Sequence, residues 1–209
     1  MKSYHSDVLQ FRGTHYDFGY YQGELLKQSP ILKNREKHWS KRGKRHFIVD
    51  TDTSINIFKE ISPHILDEIH GLADSLDLSL SEAFKKFGGY YLEMVKSGCS
   101  IYTEDGFFVR NYDSHPHGYE GRYVVFQPTD GGYALIGPSM QITGRIDGMN
   151  EKGLVIGYNF THTKKSADGF MCSMIARLVL ETCANVDEAI ELLKKIPHRI
   201  SFSYVIQDK

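Results

Sequence analysis

Gly98-Cys99-Ser100-Ile101-Tyr102-Thr103-Glu104-Asp105-Gly106-Phe107-Phe108-Val109-Arg110-Asn111-Tyr112-Asp113 is the stretch on which the reading of this chain turns. An Asp-Gly pair between apolar runs marks a β-hairpin. Ile101-Tyr102 lies before the pair and Phe107-Phe108-Val109 after it. The hairpin returns Arg110-Asn111-Tyr112-Asp113 alongside the strand that starts at Cys99. A thiol, a guanidinium and a carboxylate thus come close together. The cation favours thiolate over thiol, and the carboxylate can hold an ammonium group. Residue type alone leaves rival readings open. A lone cysteine is more often a small buried hydrophobe than a nucleophile, and an Arg/Asp pair is an ordinary strand-end salt bridge.

Downstream of the hairpin, strands are predicted at Tyr123–Phe126, Tyr133–Ile136, Gln141–Arg145 and Leu154–Tyr158. Gly131-Gly132 and Asn150-Glu151-Lys152-Gly153 supply turns. The result is an antiparallel meander that begins at Cys99. Helices follow at Phe170–Ala184 and after Asn185, whose Glu188 sits at the N3 position of a cap. Phe202–Ile206 then opens another strand with no partner after it. Upstream, the first 98 residues read as mainly helical. Phe18, Tyr21, Leu25 and Leu26 share a helical face. Ser62-Pro63 starts a helix, and Ser79 with Glu82 forms a capping box. The basic stretch Lys33–His46 reads as a solvated face, with Trp39 as an anchor.

Composition excludes several functions. The chain has 209 residues, 25 Lys+Arg against 26 Asp+Glu, and a formal charge of −1. A non-specific nucleic-acid binder has a strongly basic surface instead. No apolar run approaches the roughly 20 residues that span a bilayer, and the first residues lack a signal-peptide core, so a cytoplasmic protein is expected. Cys99, Cys172 and Cys183 form neither a disulfide framework nor a CxxC metal site. His115-Pro116-His117 lacks a third ligand and makes a poor zinc site. No phosphate loop is present. No cofactor or metal is expected.

The hairpin stretch, Gly98-Cys99-Ser100 with Asp105-Gly106 and Arg110-Asn111-Tyr112-Asp113, resembles the nucleophile region of the choloylglycine hydrolase and acyl-CoA:6-aminopenicillanic acid acyltransferase families. Asp147-Gly148-Met149-Asn150-Glu151-Lys152-Gly153-Leu154, running into Gly157-Tyr158-Asn159-Phe160, is similar to their second signature. Gly13-Thr14, Gly19, Gly23 and the Pro63 … Glu68-Ile69-His70-Gly71-Leu72-Ala73 pattern resemble the prosegment of the acyltransferase branch. The resemblance implies a cysteine N-terminal-nucleophile (Ntn) hydrolase. Its fold is α+β, an αββα sandwich of two antiparallel sheets between helical layers, behind a helical prosegment. It implies self-cleavage at Gly98–Cys99, giving a prosegment chain 1–98 and a catalytic segment 99–209. Cys99 would be the nucleophile and its freed α-amino group the base. Arg110 would tune the thiol, Asp113 would hold the α-ammonium, and Asn159 would donate to the oxyanion.

Members of these families continue beyond the strand equivalent to Phe202–Ile206. The resemblance therefore implies a sandwich incomplete at the C-terminus, without the second oxyanion asparagine. The expected partners are a small acyl amide or acyl thioester, the two cleaved chains for one another, and a second copy in a homo-oligomer, with neither nucleic acid nor membrane. Two alternatives stand beside the enzyme. One is an inactive truncated member that binds or assembles. The other is an uncleaved cysteine hydrolase with a histidine such as His115 as base.

Overall fold

A computed structural model of the chain describes residues 6–39, 50–90, 98–113, 119–161 and 167–209. The chain opens with a strand, β1 (Asp7–Gly13), followed by helices α1 (His15–Lys27), α2 (Pro30–Trp39), α3 (Thr51–Ile61), α4 (Pro63–Ser75) and α5 (Leu80–Phe87). The quoted stretch forms strands β2 (Gly98–Glu104) and β3 (Phe107–Asp113). Strands β4 (Arg122–Pro128), β5 (Leu135–Met140), β6 (Gly144–Arg145), β7 (Asp147–Asn150) and β8 (Val155–Phe160) come next. Helices α6 (Cys172–Thr182) and α7 (Val186–Lys195) lead to strand β9 (Phe202–Gln207). Residues 40–46 of the basic stretch, His115-Pro116-His117 and the side chain of Trp39 lie outside what is described.

Local signals explain many of these boundaries. Both halves of the Ser79/Glu82 capping box are present. Asn185 accepts from the Glu188 N–H and opens α7. Pro63 occupies the first turn of α4, where its missing N–H costs nothing. Gly106 turns the hairpin with φ +76°, a conformation that favours glycine.

β1, β4, β5, β7, β8 and β9 form one sheet in that spatial order, with β6 paired to β5. Three details depart from the sequence reading. β1 belongs to the sheet, so the first 98 residues are not purely helical. It runs parallel to β4, pairing Asp7 with Arg122 through to Gly13 with Pro128, so the sheet is mixed rather than antiparallel. Gln141–Arg145 is mostly a tight reversal, with left-handed backbone at Gln141 (φ 58°) and Ile142 (φ 69°). β9 pairs with the earlier β8 in antiparallel register, from Val155–Gln207 to Phe160–Phe202.

α6 is the centre of the molecule. Every residue from Cys172 to Glu181 is buried, as expected of a helix packed on all sides. Its Met174, Ile175 and Leu178 join the helical core with Phe58, Ile65, Ile69, Phe84 and Phe170. Its Cys172, Ala176, Val179 and Leu180 join the sheet core with Val124, Phe126, Ile156 and Phe18. α1 and α4 cross at very short range. A Cβ on Gly19 would lie 2.0 Å from the Glu68 carbonyl oxygen, and one on Gly71 would lie 2.1 Å from that of Tyr16. Gly23 meets Ser75 in the same way, with a Cβ 2.5 Å from its hydroxyl. Gly19, Gly23 and Gly71 of the prosegment pattern therefore form a small-residue seam between two helices. Tyr21 and Leu25, expected on the buried face, are instead partly exposed.

Candidate active site

The hairpin register runs from Gly98 opposite Asp113 to Glu104 opposite Phe107. Alternation along a strand sends Cys99 and Ile101 of β2, and Phe108, Arg110 and Tyr112 of β3, to one face. That face lies on β8. Gly157 makes the approach possible, because a Cβ there would sit 2.9 Å from Phe108 Cζ and 3.2 Å from Ile101 Cδ1. Tyr102, Phe107 and Val109 on the outer face are exposed.

Arg110 is the hub. Its side chain is only 3% exposed. Nη1 donates to Asp147 Oδ2 at 2.9 Å and to the Ile146 carbonyl at 3.0 Å, and Nη2 donates to the Tyr158 carbonyl at 2.7 Å. Nη2 also lies 3.4 Å from Cys99 Sγ. The guanidinium centre stands 5.0 Å from the Tyr112 ring centroid and 4.9 Å from that of Tyr158. Burial works against its charge, but the Asp147 hydrogen bond and the neighbouring Tyr158 and Cys99 hold its pKa above the ordinary arginine value. The guanidinium is thereby fixed within hydrogen-bond reach of the thiol. Asp147 was quoted in the second signature without a role. Its link to Arg110 depends on the β7–β8 register, which sets Asp147 opposite Gly157, and spacing alone does not reveal it.

Asp113 lies beside the Gly98–Cys99 bond. A Cβ built on Gly98 would be 3.4 Å from Asp113 Oδ2. Gly98 is exposed and continues the strand, and its φ is not left-handed. Its backbone is ordinary extended strand. Asn159 follows Tyr158 on β8, on the same face of the strand as Gly157. It is half-buried, and its Oδ1 makes no hydrogen bond. Cys99 is the partly exposed thiol, whereas Cys172 and Cys183 are buried. Burial pushes both of their pKa values up. The structure thus brings Cys99, Arg110 and Asp113 onto one ribbon, packed against the strand that carries Asn159. His115 lies outside the described residues.

Fold and site together define a mixed α/β protein with a guanidinium-held thiol at the start of a hairpin. The sequence model for acyl-coenzyme A:6-aminopenicillanic acid acyl-transferase matches residues 101–209, and the chain belongs to that family, within the Ntn superfamily. The match begins two residues after Cys99. Among solved structures, the chain is similar to penicillin V acylase from Agrobacterium tumefaciens, with 27% identity over 36% of this chain and a TM-score of 0.31. The similarity spans 27% of that acylase chain. No curated protein matches. Among the described residues, no helix is long and apolar enough to cross a membrane.

Proposed function

We propose that this chain is a cysteine Ntn amidohydrolase or acyltransferase, acting on linear amide or thioester acyl groups after cleaving itself at Gly98–Cys99. The observation that carries the reading is the Arg110 guanidinium, held by a carboxylate and two carbonyls with Nη2 3.4 Å from Cys99 Sγ. In the first step Cys99 Sγ attacks the Gly98 carbonyl carbon. The C–N bond to Cys99 breaks, the acyl group passes to sulfur, and the nitrogen takes the proton to become an amine. Water then hydrolyses the thioester, leaving a Gly98 carboxylate and a free thiol.

Cleavage would itself supply a base, the α-amino group of Cys99. A free α-amino group has a pKa near 7.7–8.0, so it can accept the thiol proton and return it to a leaving amine. Asp113 holds that ammonium, and the Asn159 side-chain amide donates to the oxyanion, where one donor is worth about 3–4 kcal/mol in the transition state. Water as acceptor gives hydrolysis, and an amine gives transfer.

The test is the intact mass of denatured, freshly purified protein beside Cys99→Ala. Two fragments meeting at Gly98/Cys99 in the parent, and one full-length species in the variant, are expected. A single full-length mass in both refutes self-processing.

A further inference from the structure

We propose that His15, His64 and Asp130 form a binding site for a zinc-type divalent transition-metal ion. One nitrogen of each imidazole and one oxygen of the carboxylate all lie within 4.8 Å of one another. Two imidazoles bound to one tetrahedral zinc through bonds of ~2.0–2.1 Å have ring centroids roughly 5 Å apart. The His15 and His64 centroids are 5.3 Å apart, with their planes 21° from parallel. Two imidazoles and one carboxylate suit zinc, cobalt or nickel, whereas calcium and magnesium prefer oxygen donors.

Each ligand comes from a different element. His15 is the first residue of α1, and His64 lies in the first turn of α4. Asp130 lies between β4 and β5. It is already fixed, since Oδ2 accepts the His15 backbone N–H at 2.9 Å and Oδ1 lies 2.7 Å from His15 Nδ1. Gly131 has φ +137°, and a Cβ there would lie 2.3 Å from His64 Nε2. Only glycine lets His64 settle next to Asp130.

His15 is fully buried. Its Nε2 faces Glu181 Oε1 at 3.3 Å, which leaves Nδ1 as the nitrogen turned to Asp130. A cavity of about 360 Å³ has His64 in its wall, with Ser62, Gly132, Tyr133 and Glu181. It gives solvent access to the His64 side of the cluster.

Binding needs no redox step. A nitrogen–metal bond forms as the His15 ring gives up the proton it shares with Asp130, and that proton leaves to solvent. The ion ties α1 and α4 to the loop after β4. It uses none of the residues around Cys99.

Metal-stripped full-length protein titrated with Co²⁺, followed by visible absorption, tests the site. The expected result is saturation at one equivalent, with the bands of nitrogen-ligated Co²⁺ lost on adding Zn²⁺. His64→Ala and Asp130→Asn should each weaken binding at least ~tenfold. The double variant His115→Ala/His117→Ala should bind as the parent does. If His64→Ala loses the parent's circular dichroism, His64→Gln is read in its place. No saturable binding, binding unchanged by loss of His64, or binding lost with His115 and His117 overturns the proposal.

Discussion

Arg110 carries a charge into a place where burial disfavours it, and what holds it there sets what it can do. Asp147 and the carbonyls of Ile146 and Tyr158 fix the guanidinium, so Nη2 meets Cys99 Sγ without any rearrangement. A hydrogen bond to a charged group is worth ~1.5–3 kcal/mol, or about tenfold or more in a rate that depends on thiolate. Arg110→Gln should therefore slow alkylation of Cys99 by iodoacetamide, at fixed pH, by roughly tenfold. Asp147→Asn should slow it less, because the two carbonyls still hold the arginine. Cys172 and Cys183 are buried and should stay silent in the mass spectrum. An unchanged rate in Arg110→Gln would remove the arginine from the thiol's activation. The hairpin signal made Cys99, Arg110 and Asp113 legible in sequence, because a two-stranded turn fixes its own register. Asp147 was not legible as a partner. Its contact depends on Gly157 letting the hairpin down onto β8, and that is a matter of packing.

Among the elements, helices with chemical stop and start signals were the readable ones. Ser79/Glu82, Asn185/Glu188 and Ser62-Pro63 mark true boundaries because capping acts within a single turn. β1 was missed although Leu9 and Phe11 alternate with Gln10 and Arg12. Its partner β4 lies more than a hundred residues on, and a parallel pair leaves no hairpin turn in the sequence. The buried face of α1 was misjudged for a related reason. The large residues Tyr21 and Leu25 suggested one stripe, yet Gly19 and Gly23 are what α4 requires. That seam predicts an unusual result for Gly71→Ala. Alanine favours an isolated helix by about 1 kcal/mol, but here its Cβ would meet the Tyr16 carbonyl at 2.1 Å. The backbone cannot move aside as a flexible side chain would. The variant should lose about 1–3 kcal/mol net, read as a lower urea midpoint with an unchanged slope. A neutral or stabilising effect would mean that the two helices are not held in contact.

Across the whole molecule, the helical layer and the sheet meet at α6 through buried charge as well as through apolar packing. Arg177 donates to Glu181 at 2.7 Å and to Glu68 at 2.9 Å, all three groups being almost completely shielded. Gln22 and Ser62 complete the carboxylates' hydrogen bonds. Positions so far apart in the chain give no periodic signal, so the network was invisible in the sequence. His15 lies between Asp130 and Glu181, with His64 beside it and Arg177 and Glu68 nearby. Burial works against the imidazolium, but Glu181 outweighs it and holds the pKa above the ordinary 6.5. The stability this contributes is complete below the unfolded value and is lost as pH rises through the raised folded value. Glu181 is held well below its usual range: burial opposes its charge, but Arg177 and His15 outweigh it. For Asp130 burial likewise opposes the charge, and the His15 hydrogen bonds prevail to lower its pKa. Their contributions are present above the unfolded values of 4.5 and 3.8 and are lost on acidification through the lowered folded ones. This cluster is therefore most stabilising between about pH 4.5 and 6.5. The measurement is urea unfolding of the Cys99→Ala chain, with a chelator present, at pH 5.5, 7 and 8.5. The urea midpoint should fall on the alkaline side. His15→Gln should lower the unfolding free energy by about 1–3 kcal/mol at pH 5.5, because the carboxylates lose their partner, and should flatten the alkaline slope. A parent whose stability rises from pH 5.5 to 8.5, or a variant with the same slope, would show that the imidazolium does not join these layers.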